Sequence, residues 1–153
     1  MLVLAVDPGL RTGIVMLTHE GFLISETVDP FEMGRKVERA LASGDVKALV
    51  CEAYIITKAT LEKSRQNYSL ELIGVCKYLC EKYAVEFILQ TPGEGLSFVR
   101  NDKDEFGKLK RLGWYVTNDK GNHQNAARSH LLLYMVRNKL LDPSRLLEES
   151  TSG

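Results

Sequence analysis

Two acidic residues stand where apolar runs stop: Asp7 follows Leu2-Val3-Leu4-Ala5-Val6, and Glu52 follows Ala48-Leu49-Val50-Cys51. If these runs are neighbouring parallel strands, about 4.8 Å apart, the two carboxylates converge at one edge of a sheet. Such a pair forms an oxygen-rich site for a hard divalent cation such as Mg²⁺, and buried like charges call for a cation to neutralise them. Asp7 taken alone has another explanation, because an aspartate before Pro8-Gly9 is an ordinary turn or cap residue. Glu52 has no comparable structural purpose, since glutamate is a poor strand residue. Gly9 and Gly13 frame the segment after Asp7. Their missing side chains permit a tight turn and let a substrate backbone approach the carboxylate, although a plain turn accounts for the first glycine equally well.

The elements that must position these residues can be read from patterning. The run Leu2 to Val6 suits a central strand buried on both faces. Thr12 to Leu17 and Gly21 to Val28 follow at hairpin spacing around His19-Glu20-Gly21, which predicts an antiparallel meander. Helical periodicity covers Phe31 to Ala42, Tyr68 to Tyr83 and Asn122 to Asn138, with a short helix around Glu105 to Leu112. Ala48 to Cys51 and Glu86 to Gln90 read as further strands, and Thr91-Pro92-Gly93-Glu94-Gly95 as a turn-rich loop. The order β-β-β-α-β-α-β-α implies an α/β protein with a mixed five-stranded sheet and helices on its faces, as in the RNase H-like fold.

With 153 residues and 44% apolar composition, the chain is long enough for one substantial core and too short for two ordinary enzyme domains. The expected organisation is one domain over 1–141 and a polar, frayed tail over 142–153. No apolar run approaches the length of a membrane span, and Met1 leads straight into a strand-like run without the features of a secretory signal, so a cytoplasmic protein is expected. Cys51, Cys76 and Cys80 form no zinc pattern and are odd in number, so they read as buried thiols in a reducing compartment.

Net charge is zero, but the distribution is uneven. Between Val99 and Lys139 nine basic side chains, among them Lys108, Lys110, Arg111 and Arg128, face four acidic ones. A basic face able to bind phosphates and a solvated helical surface account for this excess equally well.

The motif Asp7-Pro8-Gly9 after an apolar strand resembles the opening of the RuvC-like Holliday junction resolvases of phages and bacteria. The resemblance continues through Val50-Cys51-Glu52, the run Gln66 to Gly74, Gln90-Thr91-Pro92, Leu109-Lys110-Arg111-Leu112-Gly113-Trp114 and His123 to Leu132. It implies a metal-dependent, structure-selective endonuclease that acts on four-way or other branched DNA as a homodimer. Two Mg²⁺ or Mn²⁺ ions would sit at the scissile phosphate, with Asp7 bridging them and Glu52 and His123 each holding one. The family's last helix supplies two metal-site residues three apart, here His123 and Ala126. Alanine has no ligand atom, so the resemblance implies impaired cleavage, and a non-cleaving branched-DNA binding module is the rival reading. An RNA-processing nuclease of the YqgF-like branch shares the Asp-Pro-Gly opening but matches His123 to His130 less well.

The resemblance also implies that the region after Glu52 approaches the branch point. That makes Tyr54 a candidate wedge, near Lys58, Lys63, Arg65 and Gln66, although continuation of the core accounts for Tyr54 equally well. Lys108, Lys110, Arg111 and Arg128 become candidate phosphate contacts, and His130 is expected to pack or to touch phosphate rather than to act in the site.

Overall fold

The computed structural model describes residues 2–63, 67–142 and 144. Arg65, Gln66 and nearly all of the expected 142–153 tail lie outside the described residues, as does the side chain of Lys63. Five strands, β1 (Leu2–Asp7), β2 (Thr12–Leu17), β3 (Leu23–Val28), β4 (Val46–Glu52) and β5 (Glu86–Gln90), form one sheet in the order β3-β2-β1-β4-β5. β1 pairs antiparallel with β2, and β2 with β3, which is the expected meander. β4 lies parallel to β1, and β5 parallel to β4.

The central position of β1 explains its unbroken apolar run. Val3 and Ala5 enter one core, while Leu4 and Val6 enter the other, on the opposite face of the sheet. The Leu4 face is covered by α1 (Pro30–Ala42) and α3 (Tyr68–Lys82). Asp29 caps α1 by accepting from the Phe31 and Glu32 N–H groups, and Pro30 starts it. All three cysteines are buried in this layer as free thiols, so they serve packing.

The Val3 face is covered by α6 (His123–Arg137), which buries Ala127, Leu131, Leu132, Tyr134 and Met135. Beside it lie α4 (Pro92–Val99) and α5 (Gly107–Arg111). Two helices were not anticipated, namely α4 and the short α2 (Lys58–Lys63). For α4 the signal was present in the sequence: Thr91 and Glu94 form a reciprocal capping box and Pro92 takes the first turn. These start signals prevail over Gly93 and Gly95.

Candidate active site

The parallel register sets Val6 beside Cys51 and Glu52 beside Gln90. Asp7, Glu52 and Gln90 therefore stand in a row at the carboxyl ends of β1, β4 and β5. Alternation along each strand turns all three toward the α6 layer, as it does Ala5, Val50 and Ile88. Asp7, Glu52 and His123 line one cavity of about 460 Å³, so the three residues separated in sequence are brought together.

His123 is the first residue of α6, and its Nδ1 lies 3.2 Å from Asp7 Oδ2. Two features fix this helix start. A Cβ on Gly13 would lie 2.0 Å from the His123 carbonyl oxygen, so β2 and the first turn of α6 meet only because Gly13 is bare. The expected role of Gly13 is thereby corrected: it admits the chain's own helix, not a substrate backbone. The buried Asn125 side chain accepts from Val116 N–H at 2.9 Å and donates to Val116 O at 3.0 Å, while its backbone N–H donates to Asp119 Oδ2 at 2.9 Å. The loop leading into His123 is thus tied to the helix it begins.

The Asp7 carboxyl is pushed up to about 7. Burial is the largest cause, followed by the nearby charge of Glu52; the His130 ring pulls the other way, and Asp119 adds to the rise. The long contact to His123 does not offset it.

His130 was expected to pack or to touch phosphate; it is buried in the packing, and only the phosphate alternative is corrected. Its ring is 1% exposed, which excludes a phosphate contact. Nε2 lies 2.7 Å from Glu52 Oε2 and Nδ1 lies 2.8 Å from Gln90 Oε1. Facing a carboxylate that only accepts, Nε2 carries the ring proton, and the Gln90 amide can serve Nδ1 by accepting or donating. A Cβ on Gly95 in α4 would lie 2.6 Å from the ring, so the histidine occupies space that a glycine leaves. The signal for this contact was a buried position on α6 facing a polar residue at the end of β5, and it emerges only once strand order is known.

Among solved structures, the chain is similar to RuvC of Thermus thermophilus in complex with a Holliday junction substrate, with a TM-score of 0.66 at 14% identity over 92% of this chain and 96% of that one. A Thermus thermophilus RuvC structure gives 0.63 at 16% identity over the same shares. The fold is RuvC-like and RNase H-like. No protein-family profile and no curated protein matches the sequence.

Within this RuvC-like fold the remaining predicted residues divide. Ala126 does not line the His123 cavity. It lines a smaller one, about 210 Å³, with Glu52, Asn122, Ser129 and His130, so a side chain at 126 would approach Glu52 rather than the ion imagined beside His123. Tyr54 is half-buried, packs against the core on the α1 and α3 face, and also lines the Asp7 cavity. Exposed apolar surface at that mouth comes instead from Leu10 and Ile55.

Arg128 is half-buried, donating to Trp114 O at 2.6 Å and to Ser25 Oγ at 2.7 and 3.2 Å, which places its guanidinium in the packing of α6. Lys108 donates to Phe98 O at 2.5 Å and lies over the Phe98 ring. Lys110 pairs with Asp104 at 3.0 Å and, with Lys103 and Tyr115, lines an open cavity of about 630 Å³ that reaches Asn122, next to His123. Lys58 and Arg111 are exposed.

No three metal-binding side chains are gathered into a cluster among the described residues. The donor chemistry at Asp7 and Glu52 nevertheless fits one divalent cation. Their carboxylates repel each other across an open cavity, and Mg²⁺ commonly takes one or two carboxylates and completes its shell with water and phosphate. The second ion expected from sequence finds no comparable set, because Glu52 Oε2 is bonded to His130 and Ala126 offers no ligand atom.

Proposed function

We propose that this chain binds four-way and other branched DNA across the sheet edge that carries Asp7 and Glu52, as a metal-dependent endonuclease whose cleavage is weakened by Ala126. The observation that carries the reading is the pair of strand-end carboxylates facing an open cavity, with Asp7 pushed up to about 7 by burial and by Glu52. Electrostatic strain of this kind at a cleft marks a site that gains from a cation.

Asp7 and Glu52 would hold Mg²⁺ or Mn²⁺. Such a cation would supply charge compensation at a scissile phosphate and lower the pKa of a bound water. His123 orients Asp7 through Oδ2, and the turn closed by Thr12 Oγ1 donating to Gly9 O at 3.0 Å fixes the segment beside it. Lys103, lining the cavity that reaches Asn122, takes a flanking phosphate and so positions DNA without reading its sequence. A homodimer brings two such sites to the paired strands of a junction. The absence of a carboxylate at 126 favours one rival reading, a junction-binding module that does not cleave.

The deciding measurement is a gel-shift titration of a four-way junction against a duplex of equal length, at two or more salt concentrations. The junction is expected to bind at least about tenfold more tightly, with salt sensitivity typical of phosphate contacts. Equal affinity for both substrates would defeat the nuclease reading and its rival together.

A further inference from the structure

We infer that His130 is a positioning residue for Glu52, holding its carboxylate at the edge of the Asp7 cavity where position 126 has no side chain to help. This rests on the reading of Asp7 and Glu52 as a cation-binding pair. Glu52 stands between two cavities. On its β1 side it faces the space shared with Asp7 and His123; on its β5 side it faces Ala126, Ser129 and His130. A glutamate has three side-chain torsions, and a ligand that must be ordered as the cation arrives weakens binding by the entropy lost.

His130 removes that freedom. Its Nε2–H donates to Glu52 Oε2 at 2.7 Å, its Nδ1 meets the buried Gln90 side chain at 2.8 Å, and its ring lies against Gly95. The imidazole is thus held by its own helix α6, by the end of β5 and by α4. Packing alone would be met by a leucine of similar size, whereas a 1% exposed imidazole flanked by polar groups is costly unless both nitrogens are engaged. With Oε2 committed to His130, Oε1 is the oxygen that Glu52 presents to a cation, and it makes no hydrogen bond among the described residues. Ala126 and His130 are four apart on one face of α6, so the helix approaches Glu52 through the second of these positions because the first cannot reach it.

The test measures Mn²⁺ binding to the full chain at pH 8 by calorimetry and by electron paramagnetic resonance. The unchanged protein is compared with His130→Gln, which keeps an N–H near the Nε2 position, and with the double variant His130→Leu/Gln90→Leu, which leaves no orphaned buried amide. The double variant is expected to bind Mn²⁺ about tenfold or more weakly, and His130→Gln to recover most of that loss. Near-UV circular dichroism should be unchanged, a pattern that a purely structural role would not produce.

A second readout needs no variant. On saturation with Mg²⁺ the His130 Nε2 nitrogen should keep its proton in ¹⁵N-detected NMR, because the bond to Glu52 persists in the loaded site. Loss of that proton, or Mn²⁺ affinity within twofold of the unchanged protein in the double variant, overturns the inference while leaving the cation reading intact. No Mn²⁺ bound by the unchanged protein overturns both.

Discussion

His123 and His130 leave the same helix seven residues apart, and each meets a carboxylate at the end of a parallel strand, but their surroundings differ. His123 is 29% exposed, lines an open cavity and makes a long 3.2 Å contact to Asp7. His130 is 1% exposed and makes short contacts on both sides of its ring. The open half can change partners when a cation or phosphate arrives. The closed half cannot do so without leaving a buried polar group unsatisfied. The helix thus serves one end of the site as an adaptable contact and the other as a fixed support.

The sharpest way to break this comparison is at the start of the helix. Gly13→Ala sets a Cβ 2.0 Å from the His123 carbonyl oxygen and 2.3 Å from its carbon, both backbone atoms that no rotamer change can move. α6 must then shift off β2, and with it the core residues it buries. A loss of about 4–5 kcal/mol is expected in denaturant unfolding. A loss below about 1 kcal/mol would mean that the open half is not anchored by this contact.

Alanine at the two histidines should separate them next. His130→Ala removes an enclosed ring and leaves Gln90, only 2% exposed, without its partner, which should lower stability by about 3 kcal/mol. His123→Ala removes a partly exposed ring and should lower it by under about 1 kcal/mol. Equal losses would erase the distinction between the halves.

A pH titration of stability probes the open half by its charge. Asp7 keeps its proton in the folded chain up to about 7, against an ordinary value of 3.8. Between those values the unfolded chain binds fewer protons than the folded one, so this group's contribution falls as pH rises through the window. Asp7→Asn should therefore stabilise the cation-free protein at pH 8 by about 2 kcal/mol, with water in the adjoining cavity softening the full shift, and by almost nothing at pH 4. A gain independent of pH would remove the charge explanation.

Much of this architecture was legible in the sequence, for identifiable reasons. Strong, short patterns such as Leu2 to Val6 and Glu86 to Gln90 specified strands because apolar runs bounded by turn residues have few alternatives. Asp7 and Glu52 were legible because each interrupts such a run. Helix α4 was obscured by two glycines, although Thr91 and Glu94 announced its start. The contacts of His130 and Arg128 were not legible, since both depend on which elements lie across from α6. The count of basic residues between Val99 and Lys139 was also misleading as a map of free surface: Lys108, Lys110 and Arg128 each have a partner within the chain.

The smallest change in stability, and the most informative about chemistry, is expected from Ala126→Asp. Position 126 is the fourth residue of α6, where a carboxylate interacts favourably with the helix N-terminus, and the cavity of about 210 Å³ beside it has room for the added atoms. Against this stands the repulsion of a third acid placed near Glu52 and Asp7, so the net effect without cation should stay under about 1 kcal/mol. Divalent cations should reverse that balance, because the added oxygen completes a second ligand set on the Glu52 side. The expected outcome is a several-fold gain in Mn²⁺ affinity, with junction cleavage in Mg²⁺ rising from weak to readily measured and junction affinity little changed. Since His130 already holds Glu52 from that side, the new aspartate must approach without displacing the bond at Oε2; a variant that gains cation affinity but loses the Nε2 proton signal would show the two competing. Strong cleavage by the unchanged Ala126 protein in Mg²⁺ would show that Asp7, Glu52 and His123 suffice. If Ala126→Asp brings no gain in either metal while the fold stays intact, residue 126 is irrelevant to chemistry, and the junction-binding module becomes the better account of a site with one adaptable histidine and one fixed one.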